Sequence, residues 1–73
     1  MANKLTWNDA PELGILLSQR HPRLEPLAVP LADLHRYVKE LPDFGDDPGK
    51  PDAIKLEAIQ TAWLEEFLDR TRD

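Results

Sequence analysis

Seven prolines decide what this chain can fold into. A proline inside a helix removes a backbone donor and clashes with the preceding turn, at a cost of about 3 kcal/mol, and it drives the residue before it out of helical geometry. Pro11, Pro22, Pro26, Pro30, Pro42, Pro48 and Pro51 therefore cut the 73 residues into three helix-sized pieces, a proline-rich connector and a loop. A chain of this length makes one domain and buries only roughly 60–65% of the surface its unfolded form would expose. The expectation is a compact, mainly α, three-helix domain over residues 1–73. Strand candidates are limited to short pieces, Lys4–Trp7 and Leu27–Leu31.

The first helix is predicted to start at Asp9. Asp9-Ala-Pro-Glu12 offers a capping side chain, a proline in the first turn and a Glu three residues after the cap. Leu13, Leu16 and Leu17 share one face, which Arg20 closes, and Ile15 points away from it. Pro22 ends the helix by about Arg20 and leaves His21 as a solvated helix end. In the connector, one short turn is predicted at Glu25–Ala28, with Leu24, Leu27 and Val29 plugging the core. The second helix runs from about Leu31 to Leu41, with Leu34, Tyr37, Val38 and Leu41 at i, i+3, i+4, i+7. At about 100° per residue, Asp33 and Glu40 fall on one flank of that stripe and His35 and Lys39 on the other, and Arg36 can pair with Glu40. The third helix spans about Ala53 to Arg70 after a cap at Asp52, and buries Leu56, Ile59, Trp63 and Phe67. Glu65, Glu66 and Asp69 cover its opposite side, with Glu57 at the margin. Trp63, Trp7, Tyr37 and Phe44 read as core residues, and His35 as a structural hydrogen-bonding residue.

Between the last two helices lies Leu41-Pro-Asp-Phe-Gly-Asp-Asp-Pro48, which places Asp43, Asp46 and Asp47 within five residues around one apolar anchor, Phe44. Carboxylates this close repel one another unless water screens them or a cation or basic partner neutralises them. With 9 Lys and Arg against 14 Asp and Glu, the net charge is −5, which argues against phosphate-backbone binding. No cysteine is present, so thiolate metal sites, disulfides and cysteine nucleophiles are excluded. No nucleophile with an adjacent base and no Gly-rich phosphate loop is found, so the reading is a binding module and not an enzyme, with no catalytic residues. No segment has the length of a signal peptide or membrane span, and the expectation is a soluble, cytoplasmic monomer.

The carboxylates could ligate a hard cation. Asp43, Asp46 and Asp47, with Glu40 from the end of the second helix, form the candidate metal set. Their spacing is not that of an EF-hand and suits weak, exchangeable binding. A wider acidic face of Asp33, Glu40, Asp43, Asp46 and Asp47, with Glu57, Glu65 and Glu66 as outer members, is the candidate surface for a basic partner.

Four ordered blocks resemble a known family. Leu5-Thr-Trp7-Asn-Asp9 with Glu12-Leu-Gly14, Leu31-Ala-Asp33-Leu34-His35 with the acidic loop, Leu56-Glu57-Ala58-Ile59, and Trp63-Leu64-Glu65-Glu66 are similar in order and spacing to the IscX (YfhJ-like) proteins of bacterial iron–sulfur cluster assembly. The resemblance covers about residues 4–67, leaving 68–73 as an extension expected to fray. It implies a modified winged-helix fold. It also implies an acidic accessory protein that binds Fe2+ weakly, docks on the cysteine desulfurase, and modulates sulfur delivery in competition with a frataxin-like protein. Two departures from the family pattern stand out. Gly45 occupies a place where a third consecutive Asp occurs, and Ala32 one where a helix-capping Thr is usual. The alternative is a generic small acidic protein-interaction module with no metal role; a DNA-binding winged helix is disfavoured because Asp33 and Glu40 cancel Arg36 and Lys39 on the second helix.

Overall fold

The computed structural model describes residues 4–45 and 52–71. Three helices follow the proline partition: α1 is Ala10–Arg20, α2 is Leu31–Lys39 and α3 is Ala53–Thr71, with a 3-10 turn at Pro26–Ala28 between α1 and α2. Helix α3 is the spine against which α1, α2 and the 3-10 turn all pack. Among the described residues there is no ladder, only one isolated parallel bridge between Leu5 and Phe44. The mainly α expectation therefore holds; of the two strand candidates, Lys4–Trp7 contributes that bridge and Leu27–Leu31 becomes the 3-10 turn and the start of α2. Helix α3 also continues through Leu68 to Thr71, where fraying was expected.

The core gathers Trp7, Leu13, Leu17, Val29, Leu34, Val38, Leu41, Leu56, Ile59 and Trp63. Leu34 and Val38 are fully buried and Tyr37 packs against the cluster, as the 3.6-residue period of α2 dictates. Phe67, at the far end of the predicted α3 stripe, is only partly buried. Trp7 closes the cluster at 6% exposure.

Helix α1 keeps its leucine face and widens it. Its buried residues are Leu13, Gly14, Leu17 and Ser18, while Leu16 is half-buried and Arg20 exposed. Leu13 and Leu17 are fully buried as predicted and Leu16 packs against the core, and the small residues Gly14 and Ser18 widen that face. The reason lies in backbone approach. A Cβ on Gly14 would sit 2.7 Å from the Ala62 carbonyl carbon and Cβ and the Trp63 amide nitrogen, closer than such atoms come without displacement. The side chain that is missing at Gly14 lets α1 and α3 touch along their backbones. Among the described residues, two polar atoms are sealed into the core without a partner, the Ser18 hydroxyl and the Trp63 indole nitrogen.

The helix ends also differ from simple capping. Asp9 precedes α1, but with φ −97° and ψ 49° its carboxylate does not reach the helix amides. Its Oδ2 instead accepts from the Thr6 amide at 2.8 Å and the Thr6 hydroxyl at 3.3 Å, closing the turn that leads into the helix. At α2 the N-cap is Pro30, with φ −62° and ψ 151° and no side-chain cap, so Ala32 lies inside the first turn and no cap is lost there. His21 ends α1 through its amide, which donates to Leu17 at 2.8 Å. Its ring is not solvated as expected: it is half-buried, with its centroid 4.7 Å from Tyr37 and 6.2 Å from Trp63.

The connector is tied down by a residue the hydrophobic pattern does not reveal. The Gln60 side-chain amide, on α3, donates to the carbonyls of Pro26 at 2.9 Å and Val29 at 3.3 Å. The Pro26 carbonyl also accepts from the Val29 amide at 3.2 Å, so Gln60 adds a second donor there. Pro26 and Val29 face inward, which turns Leu27 out to 68% exposure and not into the core as predicted.

Candidate functional site

The acidic loop begins where α2 stops. Glu40 caps α2 in helical geometry, and the chain then turns through Leu41 and Phe44, whose amides donate to Val38 and Leu41 at 3.1 and 3.0 Å. Pro42 ends the helix because it cannot supply the next amide. The N-terminal segment clasps this turn. Leu5 donates its N–H to the Asp43 carbonyl at 2.8 Å and accepts from the Gly45 N–H at 2.9 Å. Lys4 Nζ donates to the Pro42 carbonyl at 3.1 Å. Phe44 meets the edge of Trp7 at 4.6 Å between centroids, and the His35 ring stacks on Trp7 at 5.3 Å and 20°. The acidic turn is therefore bolted to α2 through an aromatic stack and to the N-terminal segment through its backbone.

Glu40 and Asp43 are both exposed, one on each side of Pro42. Asp33, half-buried, lies seven residues before Glu40, so the two occupy nearly the same angle on α2, about two turns apart. Asp33 pairs with Arg36 at 3.8 Å, and Arg36 also lies 5.2 Å from the Tyr37 ring centroid. The predicted Arg36–Glu40 pair is absent, and Arg36 pairs with Asp33 instead among the described residues. Asp46 and Asp47 lie outside the described residues. Among those described, no three His, Asp or Glu side chains converge as a metal-holding group, so Glu40 and Asp43 do not by themselves complete a site.

The outer members of the predicted face separate. Glu57 and Glu65 are exposed on α3, but Glu66 is half-buried at the edge of the packed stripe and does not stand opposite it as predicted. Nine positions place Glu57 and Glu66 roughly 180° apart around α3, so those two cannot share one surface. Asp33, Glu40 and Asp43 thus lie along α2 and the turn after it, while Glu57 and Glu66 fall on opposite sides of α3. What sequence reasoning missed is the clasp made by Lys4 and Leu5, since backbone hydrogen bonds leave no mark in residue type.

No described helix is long and apolar enough to cross a membrane. The family model for iron–sulphur cluster assembly matches residues 5–68, nearly the whole chain. An uncharacterised protein of Pseudomonas aeruginosa is 47% identical over 62 residues, covering 85% of this chain and 94% of that relative. With a match of that extent, on a three-helix body whose acidic turn, Trp7 and Trp63 lie inside the matched span, the chain belongs to the IscX (YfhJ-like) family of iron–sulphur cluster assembly proteins.

Proposed function

We propose that this chain is an acidic adaptor of the cluster-assembly machinery. It binds Fe2+ weakly through Glu40, Asp43, Asp46 and Asp47, and docks the same end of the molecule on a basic patch of the cysteine desulfurase. There it modulates sulfur delivery in competition with a frataxin-like protein. The observation that carries this reading is the pair Glu40 and Asp43: both exposed, flanking Pro42, on a turn that backbone hydrogen bonds hold in place. Asp33 extends the run along α2. Glu57 and Glu65 are outer contributors at most, and Glu66 is the weakest member because it is half-buried.

Oxygen ligands without a thiolate suit Fe2+ but discriminate poorly among divalent ions, so binding is exchangeable and sensitive to competing cations. Charge attraction toward a basic partner speeds encounter and sets orientation, and salt screens it over a Debye length of about 10 Å at 0.1 M. Two measurements test the reading. Asp46→Asn combined with Asp47→Asn should weaken Fe2+ binding in a calorimetric titration, and unchanged affinity removes the loop from the site. Affinity for the cysteine desulfurase should fall as ionic strength rises; a flat dependence overturns electrostatic docking.

A further inference from the structure

The charge of this chain is unevenly spread. It totals −5, yet residues 20–39 hold four arginines and lysines against two carboxylates, Glu25 and Asp33. The fold brings three of those four bases to one corner, where the end of α1 meets α2. The His21 ring, just past α1, lies 4.7 Å from the Tyr37 ring on α2, and the Arg36 guanidinium sits over that same ring at 5.2 Å from its centroid. Arg20 precedes His21, and Arg23 stays beside it because the Leu24 amide donates to the His21 carbonyl at 3.2 Å and closes the turn. Arg20, Arg23 and Arg36 are exposed, while His21 and Tyr37 are half-buried. Arg36 meets Asp33 only at 3.8 Å, with the two side chains 55% and 43% exposed, and a surface pair of that kind is weak. Among the described residues, Arg20 and Arg23 pair with no carboxylate.

We infer that this corner is a second docking surface, and that it takes an acidic peptide segment of a partner protein. A guanidinium can rest its face on an aromatic ring and still bond a carboxylate through the N–H groups of its edge. Contact with Tyr37 restrains Arg36 before anything binds, so less side-chain freedom is lost on docking. A nucleic acid fits the corner poorly, because its phosphates would run on over a body of net negative charge. A short run of carboxylates feels mainly the charges within a Debye length, about 8 Å at 0.15 M salt. The surface is opposite in sign to the acidic turn, so the two call for different partners, and neither depends on the other.

The experiment uses the full chain and a dye-labelled oligoglutamate peptide, titrated by fluorescence anisotropy at about 0.15 M salt, where the local field governs. Arg36→Gln should weaken binding roughly twofold to fivefold, the worth of one exposed ion pair, and adding Arg20→Gln and Arg23→Gln should carry the loss past about tenfold. Arg36→Lys keeps the charge but not the planar fork, and should lose nearly as much as Arg36→Gln. Arg70→Gln removes an equal charge in the last turn of α3 and should leave binding unchanged. All four positions are exposed, so the variants keep the fold. An equal loss from Arg70→Gln would reduce the effect to net charge and overturn the inference. Parental affinity in Arg36→Lys, or no uptake of the peptide by the parent chain, overturns it as well. A single-stranded oligonucleotide of the same length that binds as tightly as the peptide overturns the acidic-peptide assignment.

Discussion

The α1–α3 contact and the acidic turn are built by opposite means. At the helix contact, a missing side chain at Gly14 allows two backbones to meet, and buried apolar surface does the rest. At the turn, little apolar surface is available, so two backbone hydrogen bonds, one lysine and the Trp7–Phe44 contact hold a charged segment in place. In both places a glycine is required for space and not for a left-handed backbone; a Cβ on Gly45 would overlap the Lys4 stem. The difference is what the space serves: global packing in one case and local placement in the other. Burial is non-directional and summed over many atoms, whereas the clasp depends on a few directed bonds.

Three substitutions put that contrast under strain. Gly14→Ala should be the most damaging, since overpacking a tight contact costs about 1–3 kcal/mol. Urea unfolding should show the loss, while the Leu5 and Gly45 amides exchange no faster than global unfolding requires. Equal losses of global stability from Gly14→Ala and Gly45→Ala would erase the distinction between the two regions. Gln60→Ala should come next. It removes the side-chain donor shared by the Pro26 and Val29 carbonyls, the first of which keeps the Val29 amide, and should cost about 1 kcal/mol, visible as a lower urea midpoint. Ser18→Ala should act in the opposite direction and least strongly. Replacing a buried hydroxyl that has no partner by a methyl group should leave stability unchanged or raise it by up to about 1 kcal/mol. A marked loss in that variant would mean that the hydroxyl has a role the helix contact does not reveal.

How much of this was legible in the sequence follows from what each contact is made of. Prolines placed the helices, because their backbone chemistry is independent of context. Leu34, Tyr37 and Val38 disclosed the inner face of α2, because large apolar side chains carry the burial there. Leu13 and Leu17 disclosed the inner face of α1, but Gly14 and Ser18 were missed because they have almost no hydrophobic signal; what buries them is proximity of backbones. Leu27 was misplaced because Gln60 and the inward Pro26 decide the orientation of that turn, and a polar clamp from another helix has no local signature. For the candidate site, periodicity sufficed to align Asp33 with Glu40. It failed for Glu66, because the edge of a buried stripe depends on how neighbouring helices lean. The tie between Leu5 and the turn could not be read at all, since any residue but proline carries the same donor and acceptor.

One consequence of the two tryptophans has practical reach. Trp63 is enclosed at the helix contact, and Trp7 leans on Phe44 and His35 beside the acidic turn. The chain has no other indole, so its tryptophan emission is the sum of two built-in lamps, one in each region. A Trp7→Phe variant leaves the first lamp alone. Subtracting its response from that of the parent during a metal or protein titration should read out the turn without any attached dye.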